Sequence, residues 1–489
     1  MNKNLRQVGW IGLLVVTILL VLVVRTPAAS ATAKHYTELE FAPLKEVKIP
    51  DYERYQLKNG MVVYLMEDRE LPLVSGSAIV KTGQRLEPSE KVGLADLVGT
   101  VMRSGGSELH PADELNQILE AKAAIVETSI DTSSGVASFD ALSEDLDRVF
   151  NLFAEVIRSP AFPQDKLELA KNQQKGSISR RNDDPSDIAS REFQKLLYGK
   201  DSPYGRTIEY ATLDNISRED IINFYANSFY PDRTILGIVG DFDSTEMKVL
   251  IEKAFGDWQP APKSESAITI PSASQKQKTG VFLVDRPDLT QSNILLGHIG
   301  GQLDSPDYPA LTVVNGVLNG YGGRLFNDIR ARQGLAYSVY GLWSARYDYP
   351  GMFIAGGQTR SETTTPFIKS VFSEIEKMQT TPITEAELAY AKESILNSFV
   401  FNFQKPKQTL SRSIRYEYFG YPKDFIFQYQ NGVKETEIAD VQRVAQQYLK
   451  PEQIITLVVG NGNEIQPPLS SLGQKVKAVD ITIPRPQKS

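Results

Sequence analysis

The sequence predicts an α+β fold of two similar domains, each a mostly antiparallel or mixed sheet with helices packed on one face. Two observations carry this. Strand-patterned and helix-patterned runs alternate in blocks rather than one for one, and the whole order appears twice. Asp68-Arg69 recurs as Asp285-Arg286, and Gly83 recurs as Gly300 at the same separation. Leu167-Glu168-Leu169-Ala170-Lys171 is answered by Leu388-Ala389-Tyr390-Ala391-Lys392, and Pro231 and Gly240 by Pro451 and Gly460. Each copy runs strands, a helix, a hairpin, several helices and a closing strand. A chain of 489 residues is long enough for about two to four domains with cores of their own.

The elements follow in order. Lys3 and Arg6 precede an apolar run from Val8 to Val24, and Ala31-Thr32-Ala33 supplies small residues for cleavage. Residues 1–33 therefore read as an export signal cut after Ala33, or as an uncut anchor through residues 8–24. Either places the chain beyond a membrane, in a periplasm or a lumen. Residues 34–51 read as an extended lead-in, and residues 52–258 as the first domain. In it Val62 to Met66 and Ser77 to Val80 are strands, with turn chemistry at Asn59-Gly60. Leu94 to Met102 is a helix ended by Gly105-Gly106, and Pro111 to Ala121 is a second with proline and acids in its first turn. Ile125 to Ile130 and Gly135 to Ala141 form a hairpin. Leu146 to Ile157 has helical spacing and stops at Pro160. Thr234 to Val239 is continuously apolar, as a central strand is.

Residues 259–280 carry Pro260, Pro262 and Pro271 with no periodicity and read as a linker. The second domain, residues 281–472, repeats the plan. Val281 to Val284 and Asn293 to His298 are strands, and Pro309 to Leu318 is a helix. Ser338 to Ser344 and Gly351 to Gly356 form a hairpin with Tyr347, Asp348 and Tyr349 at its turn. Phe367 to Met378 is an amphipathic helix, and Ile454 to Val459 closes the sheet. Residues 473–489 read as a loose tail.

Composition removes several functions. With 41% apolar and 23% charged residues the chain is globular, and a net charge of −7 supplies no basic face for nucleic acid. Cysteine is absent, which excludes disulfides, thiolate metal sites and cysteine nucleophiles. The three histidines, His35, His110 and His298, stand in separate elements and read as structural. Ser133, Ser134 and Ser338 have no histidine at motif spacing. Asn319-Gly320-Tyr321-Gly322-Gly323 lacks the Lys-Ser/Thr of a phosphate loop. It reads as a place of close backbone approach, between helices or to a bound peptide.

The most informative stretch runs from Gly322 to Tyr340. Leu325, Phe326 and Ile329 suit one face of a short helix, Gly334 a left-handed C-cap, and Leu335 to Tyr340 a strand. Arg330 then lies in the last turn and Tyr337 on the following strand, where both can donate to one carbonyl oxygen. This stretch, through Gly-Arg-Leu-Phe at 323–326 and Gly-Leu-Ala-Tyr-Ser at 334–338, closely resembles the second half of the insulinase and mitochondrial-processing-peptidase family of inverted zincins. The resemblance covers roughly Tyr52 to Asn463. It implies two domains arranged like a clamshell. It also implies that Arg330 and Tyr337, seven residues apart, hold substrate at a zinc.

That family's catalytic members carry His-x-x-Glu-His on a helix of the first half, with a further Glu ligand downstream. The matching helix here is framed by Gly93-Leu94-Ala95 and Arg103-Ser104-Gly105-Gly106. At the motif Asp96 stands for the first His, Gly99 for the general base and Thr100 for the second His. Gly176 stands for the Glu ligand. Zinc needs three or four ligands within about 2.3 Å of one point, so no zinc is expected in this chain, and the chain alone is expected to be inactive. The resemblance therefore implies a non-catalytic subunit of a heterodimeric zinc peptidase. Arg330 and Tyr337 would serve peptide binding and oxyanion stabilisation, and a homologous partner would bring the zinc motif. Peptide would add as a strand along a sheet edge, with Ile125 to Ile130 a candidate. The alternative is a peptide-binding or scaffold subunit of a membrane-associated complex.

Overall fold

The computed structural model describes residues 47–262 and 268–484. The leader, its Ala33 cleavage point, His35 and most of the lead-in lie outside the described residues. From Ile49 on the chain is a single compact unit.

Its first sheet contains β1 (Glu53–Gln56), β2 (Val62–Glu67), β3 (Leu73–Val80), β4 (Ile125–Ile130), β5 (Gly135–Leu142) and β6 (Thr234–Gly240), in the order β1-β2-β6-β3-β5-β4. The helices between them are α1 (Leu94–Ser104), α2 (Ala112–Ala121), α3 (Leu146–Arg158), α4 (Gln164–Arg180), α5 (Pro185–Tyr198) and α6 (Arg218–Ser228), and α7 (Ser244–Phe255) follows β6. The second sheet contains β7 (Gly280–Asp285), β8 (Gln291–Ile299), β9 (Ala336–Ser344), β10 (Met352–Arg360), β11 (Ile455–Gly460) and β12 (Val476–Ala478), in the order β12-β7-β11-β8-β10-β9. Its helices are α8 (Tyr308–Leu318), α9 (Thr364–Thr380), α10 (Glu385–Ser398), α11 (Pro406–Phe419), α12 (Phe425–Glu435) and α13 (Ile438–Tyr448).

The duplication is visible strand for strand. β2 and β6 run parallel, as do β7 and β11, and both closing strands pair antiparallel with the next strand. Both sheets are mixed. β6 and β11 are buried along their whole length, which their uninterrupted apolar sequence requires.

The expectation of helices on one face of each sheet is incomplete. Each half does cover one face with its own helices: Val63, Leu65, Val74 and Leu236 pack with Leu97, Phe150 and Phe153. The opposite face is covered by a helix from the other half. Tyr64, Met66, Ile79, Ile235 and Val239 meet Leu410, Ile414 and Tyr418 of α11. Reciprocally, Phe282, Val284, Leu295, Leu457 and Val459 meet Ile188, Ala189, Phe193 and Leu197 of α5. Gly237 lets α11 sit down on the sheet, because a Cβ there would come 2.1 Å from Ile414 Cδ1. Polar contacts fasten the crossing: Glu417 accepts from Arg54 and Tyr64, and the Tyr418 hydroxyl donates to the Ser133 carbonyl at 2.7 Å. At the start of α5 the Asp184 carboxylate accepts from the Ser186 and Asp187 amides, at 2.7 and 3.2 Å.

Two further readings change, and one strand is added. The tail after Leu472 is not loose over its described part: β12 adds to the edge of the second sheet beside β7, and the Asn182 amide donates to the Ile481 carbonyl at 2.7 Å. The linker is tied down over its described part. Lys276 donates its amide to the Leu197 carbonyl at the end of α5, and the Gln275 side chain accepts from Ile299 at 2.8 Å. β1, four polar-patterned residues, pairs antiparallel with β2 and was not apparent from periodicity.

Candidate functional site

Arg330 and Tyr337 are brought together. Phe326–Arg332 winds as a π-helical segment, a form in which each turn holds an extra residue and which recurs at functional sites. It ends as expected at Gly334, whose φ is +62°. Gly334 donates to the Arg330 carbonyl and Leu335 to the Ile329 carbonyl, which is the paired closure of a Schellman cap. The chain then enters β9. There the register with β10 shifts between Gln358 and Thr359, leaving Tyr337 as the extra residue of a bulge. A bulge re-aims its side chain, and Tyr337 stands 82% exposed.

The Arg330 guanidinium lies between two rings. Its carbon is 4.6 Å from the centre of Tyr337 and 4.9 Å from that of Phe326. No carboxylate pairs with it among the described residues, so its N–H groups are free to donate. Neighbouring charges are paired away from it. Arg332 binds Asp328, and Arg324 binds Glu387 through Nε at 2.6 Å. That ion pair, with the Thr384 cap, holds the Glu387 carboxyl down at about 2. The glycine-rich loop packs against α10: Gly322 donates to the Tyr390 hydroxyl at 3.0 Å, and a Cβ at Gly322 would lie 2.7 Å from Tyr390 Cε2. Of the two uses read for its glycines, this is close approach to a helix.

Asparagines decide which part of the β9 edge is open. Asn319 both accepts from and donates to the backbone of Gly341, at 3.1 and 2.6 Å, and Asn315 does the same at Trp343, at 2.6 and 3.1 Å. Val339 comes two residues earlier, so it faces the same edge, and there it has no partner among the described residues. The open edge therefore adjoins Tyr337. Phe326, read as sharing one face with Leu325 and Ile329, is only half-buried and is the second ring on Arg330, while the bulge and the two asparagines were missed in the sequence. The i, i+4 spacing of Asn315 and Asn319 on an apolar helix was the available signal.

β4, the edge suggested for peptide addition, is partly covered, at the carbonyls of Val126 and Ile130. Helix α1 lies along it. Arg103 Nε donates to the Val126 carbonyl at 2.6 Å, Gln84 to the Ile130 carbonyl at 3.2 Å, and Thr128 Oγ1 to the Gly99 carbonyl at 2.6 Å. A Cβ at Gly99 would come 2.7 Å from the Ile130 nitrogen and 2.9 Å from the Ser129 carbonyl carbon. Asp96 accepts from Gln174 at 2.5 Å, so α1 and α4 are joined by a hydrogen bond. Burial raises the Asp96 carboxyl. Thr100 is half-buried, and Gly176 has open space around its Cβ direction. Among the described residues no three His, Cys, Asp or Glu side chains gather as a metal set. The residues at the four positions do not fit a zinc ion.

This geometry makes opposite predictions for two helical glycines. Gly99→Ala should cost about 1–3 kcal/mol through overpacking against β4, whereas Gly176→Ala should stabilise by about 0.5–1 kcal/mol through helix propensity alone. Urea denaturation of both variants reads the sign.

The head of α1 is also titratable. The buried Glu87 carboxylate accepts from the Gly93 and Ala95 amides at 3.2 and 2.9 Å, and burial pushes it up to about 6 from the usual 4.5. The folded chain thus holds this proton more tightly than the unfolded one. Its contribution to stability is full below 4.5 and is lost as pH rises through 6. The swing is about 2 kcal/mol. Glu87→Gln should remove that slope from the urea midpoint measured between pH 4 and 7; an unaltered slope would assign it to other groups.

The two remaining histidines are structural. His298 is buried, donates from Nδ1 to the Ile299 carbonyl at 2.7 Å and accepts from Lys450 at Nε2, and burial lowers its pKa. His110 Nδ1 lies 2.6 Å from Glu155, which also accepts from Ser107. The serine thus donates to the carboxylate rather than to the imidazole, and no relay results.

Comparison with known proteins gives the family and the fold. A profile described as "Insulinase (Peptidase family M16)" matches residues 63–211, and one described as "Peptidase M16 inactive domain" matches residues 215–395. The chain belongs to the insulinase family. An "Uncharacterized zinc protease YmxG" of Bacillus subtilis is 23% identical over 84% of this chain and 99% of its own. The "Non-peptidase homolog YmxG" of Helicobacter pylori is 22% identical over 81% of this chain and 90% of its own. The crystal structure of a peptidase M16 inactive domain from Pseudomonas fluorescens superposes with a TM-score of 0.77 at 22% identity, covering 86% of this chain and all of that one. No helix among the described residues is long and apolar enough to cross a membrane.

Proposed function

We propose that this insulinase-family chain is the substrate-gripping, non-catalytic subunit of a two-subunit zinc peptidase. The observation that carries the reading is the Arg330 guanidinium, stacked between Phe326 and Tyr337 with no carboxylate among the described residues to neutralise it. A cation held in place by rings and left without an internal partner is suited to an incoming carbonyl oxygen. The peptide adds as a strand to the open stretch of β9 at Val339, which presents its carbonyls to Arg330 and the Tyr337 hydroxyl. The water-activating zinc belongs to the partner, a homologue with an intact His-x-x-Glu-His helix. The pair works on the far side of a membrane.

Reconstitution tests this. The purified chain alone should cut no peptide and hold no stoichiometric zinc, and mixing it with a zinc-motif homologue should produce cleavage that neither shows alone. Recovery from cells in a membrane complex without such a homologue would favour the scaffold reading instead.

A further inference from the structure

The seam between the halves contains a cavity that the peptidase reading does not use. It has a volume of about 460 Å³ and lies between the first sheet and α11. Its floor is made of small residues: Ser75 and Ser77 of β3, Ser138 of β5 and Gly237 of β6. Its wall is Lys407, Arg412 and Arg415 of α11. No acidic residue is among the described lining residues, and the one carboxylate bonded to them is that of Asp140, which accepts from Ser75 and Lys407.

The polar groups are partly spoken for. Lys407 pairs with Asp140 at 2.7 Å, and Arg412 donates to the Asn402 carbonyl and side chain, both at 3.1 Å. Arg415 lines the cavity beside Tyr347 and has no carboxylate partner among the described residues. The Ser77 and Ser138 hydroxyls have no hydrogen-bond partner there either. Hydroxyls on one side and an unneutralised guanidinium fork on the other match a tetrahedral oxyanion. The volume is in the range of small-ligand pockets and exceeds what a bare ion fills.

From this juxtaposition we infer that the seam cavity binds a small organic phosphate, its phosphoryl group held by Arg415, Ser77 and Ser138. Such a ligand touches the sheet of one half and the helix of the other, so it also stabilises their crossing. The site is independent of Arg330.

Calorimetric titration of the purified chain with glycerol phosphate and with inorganic phosphate, at fixed ionic strength, tests the inference. One saturable site per chain is expected, weakened at least tenfold by Arg415→Gln, with a rise in melting temperature on binding. The double variant Ser77→Ala, Ser138→Ala removes only floor hydroxyls and should weaken binding in the same direction if Arg415→Gln disturbs folding. Tighter binding of the ester identifies an organic phosphate, and equal binding identifies free phosphate as the source. No saturable binding of either compound, or unchanged affinity in the double variant, overturns the inference.

Discussion

Arg330→Ala is expected to lower the cleavage rate of the reconstituted two-subunit enzyme by about 100-fold or more, the scale of losing one oxyanion donor. Stability should barely change. The guanidinium makes no ion pair among the described residues, and what the variant loses on folding is its stacking on Phe326 and Tyr337, about 0.5–1 kcal/mol for an exposed cation–ring contact. Arg330→Lys keeps the charge but loses the planar fork, and should recover only part of the rate. Tyr337→Phe keeps the ring against Arg330 and removes the hydroxyl, which separates stacking from donation. Arg332→Ala is the control, since Arg332 lies two residues away on the same segment and is already bound to Asp328. Equal turnover in the Arg330→Ala and unsubstituted complexes would refute the oxyanion role. A matched loss in Arg332→Ala would point to the segment's shape instead.

Phe193→Ala is expected to cost about 3–5 kcal/mol, as removal of a buried aromatic does. Phe193 is only 1% exposed, and although it belongs to the first half of the chain it packs under the second sheet. Its removal should therefore weaken both halves in one cooperative transition. The measurement is denaturant unfolding followed by two probes, one reporting each half. Coincident curves shifted together support the interlocked core. A split, with the first half unfolding at its original midpoint, would mean that each half is stable alone and that the crossing helices are secondary.

These two expectations differ in how much of them could be read beforehand. The Arg–Tyr spacing, the Gly334 cap and the degenerate positions Asp96, Gly99, Thr100 and Gly176 are local features of the chain, and each lies in the element expected for it. The bulge at Tyr337 and the partial cover of β4 are not local. A bulge depends on the register between two strands, and edge closure depends on which helix side chains reach the backbone. Arg103 and Gln84 carry no mark in the sequence of their destinations.

The sequence by itself determined the α+β class, the duplication and the order of elements in each half. All of these rest on short-range periodicity, turn residues and residue identity. Only the tertiary structure decided that α5 and α11 exchange sheets, that the tail adds a strand beside β7, and that Arg330 is caged by Phe326 as well as Tyr337. The physical reason is common to all three. An apolar stripe states that a face must be buried, and a strand states that its backbone must be paired, but neither specifies the partner. That choice is made by packing and register between segments far apart in the chain.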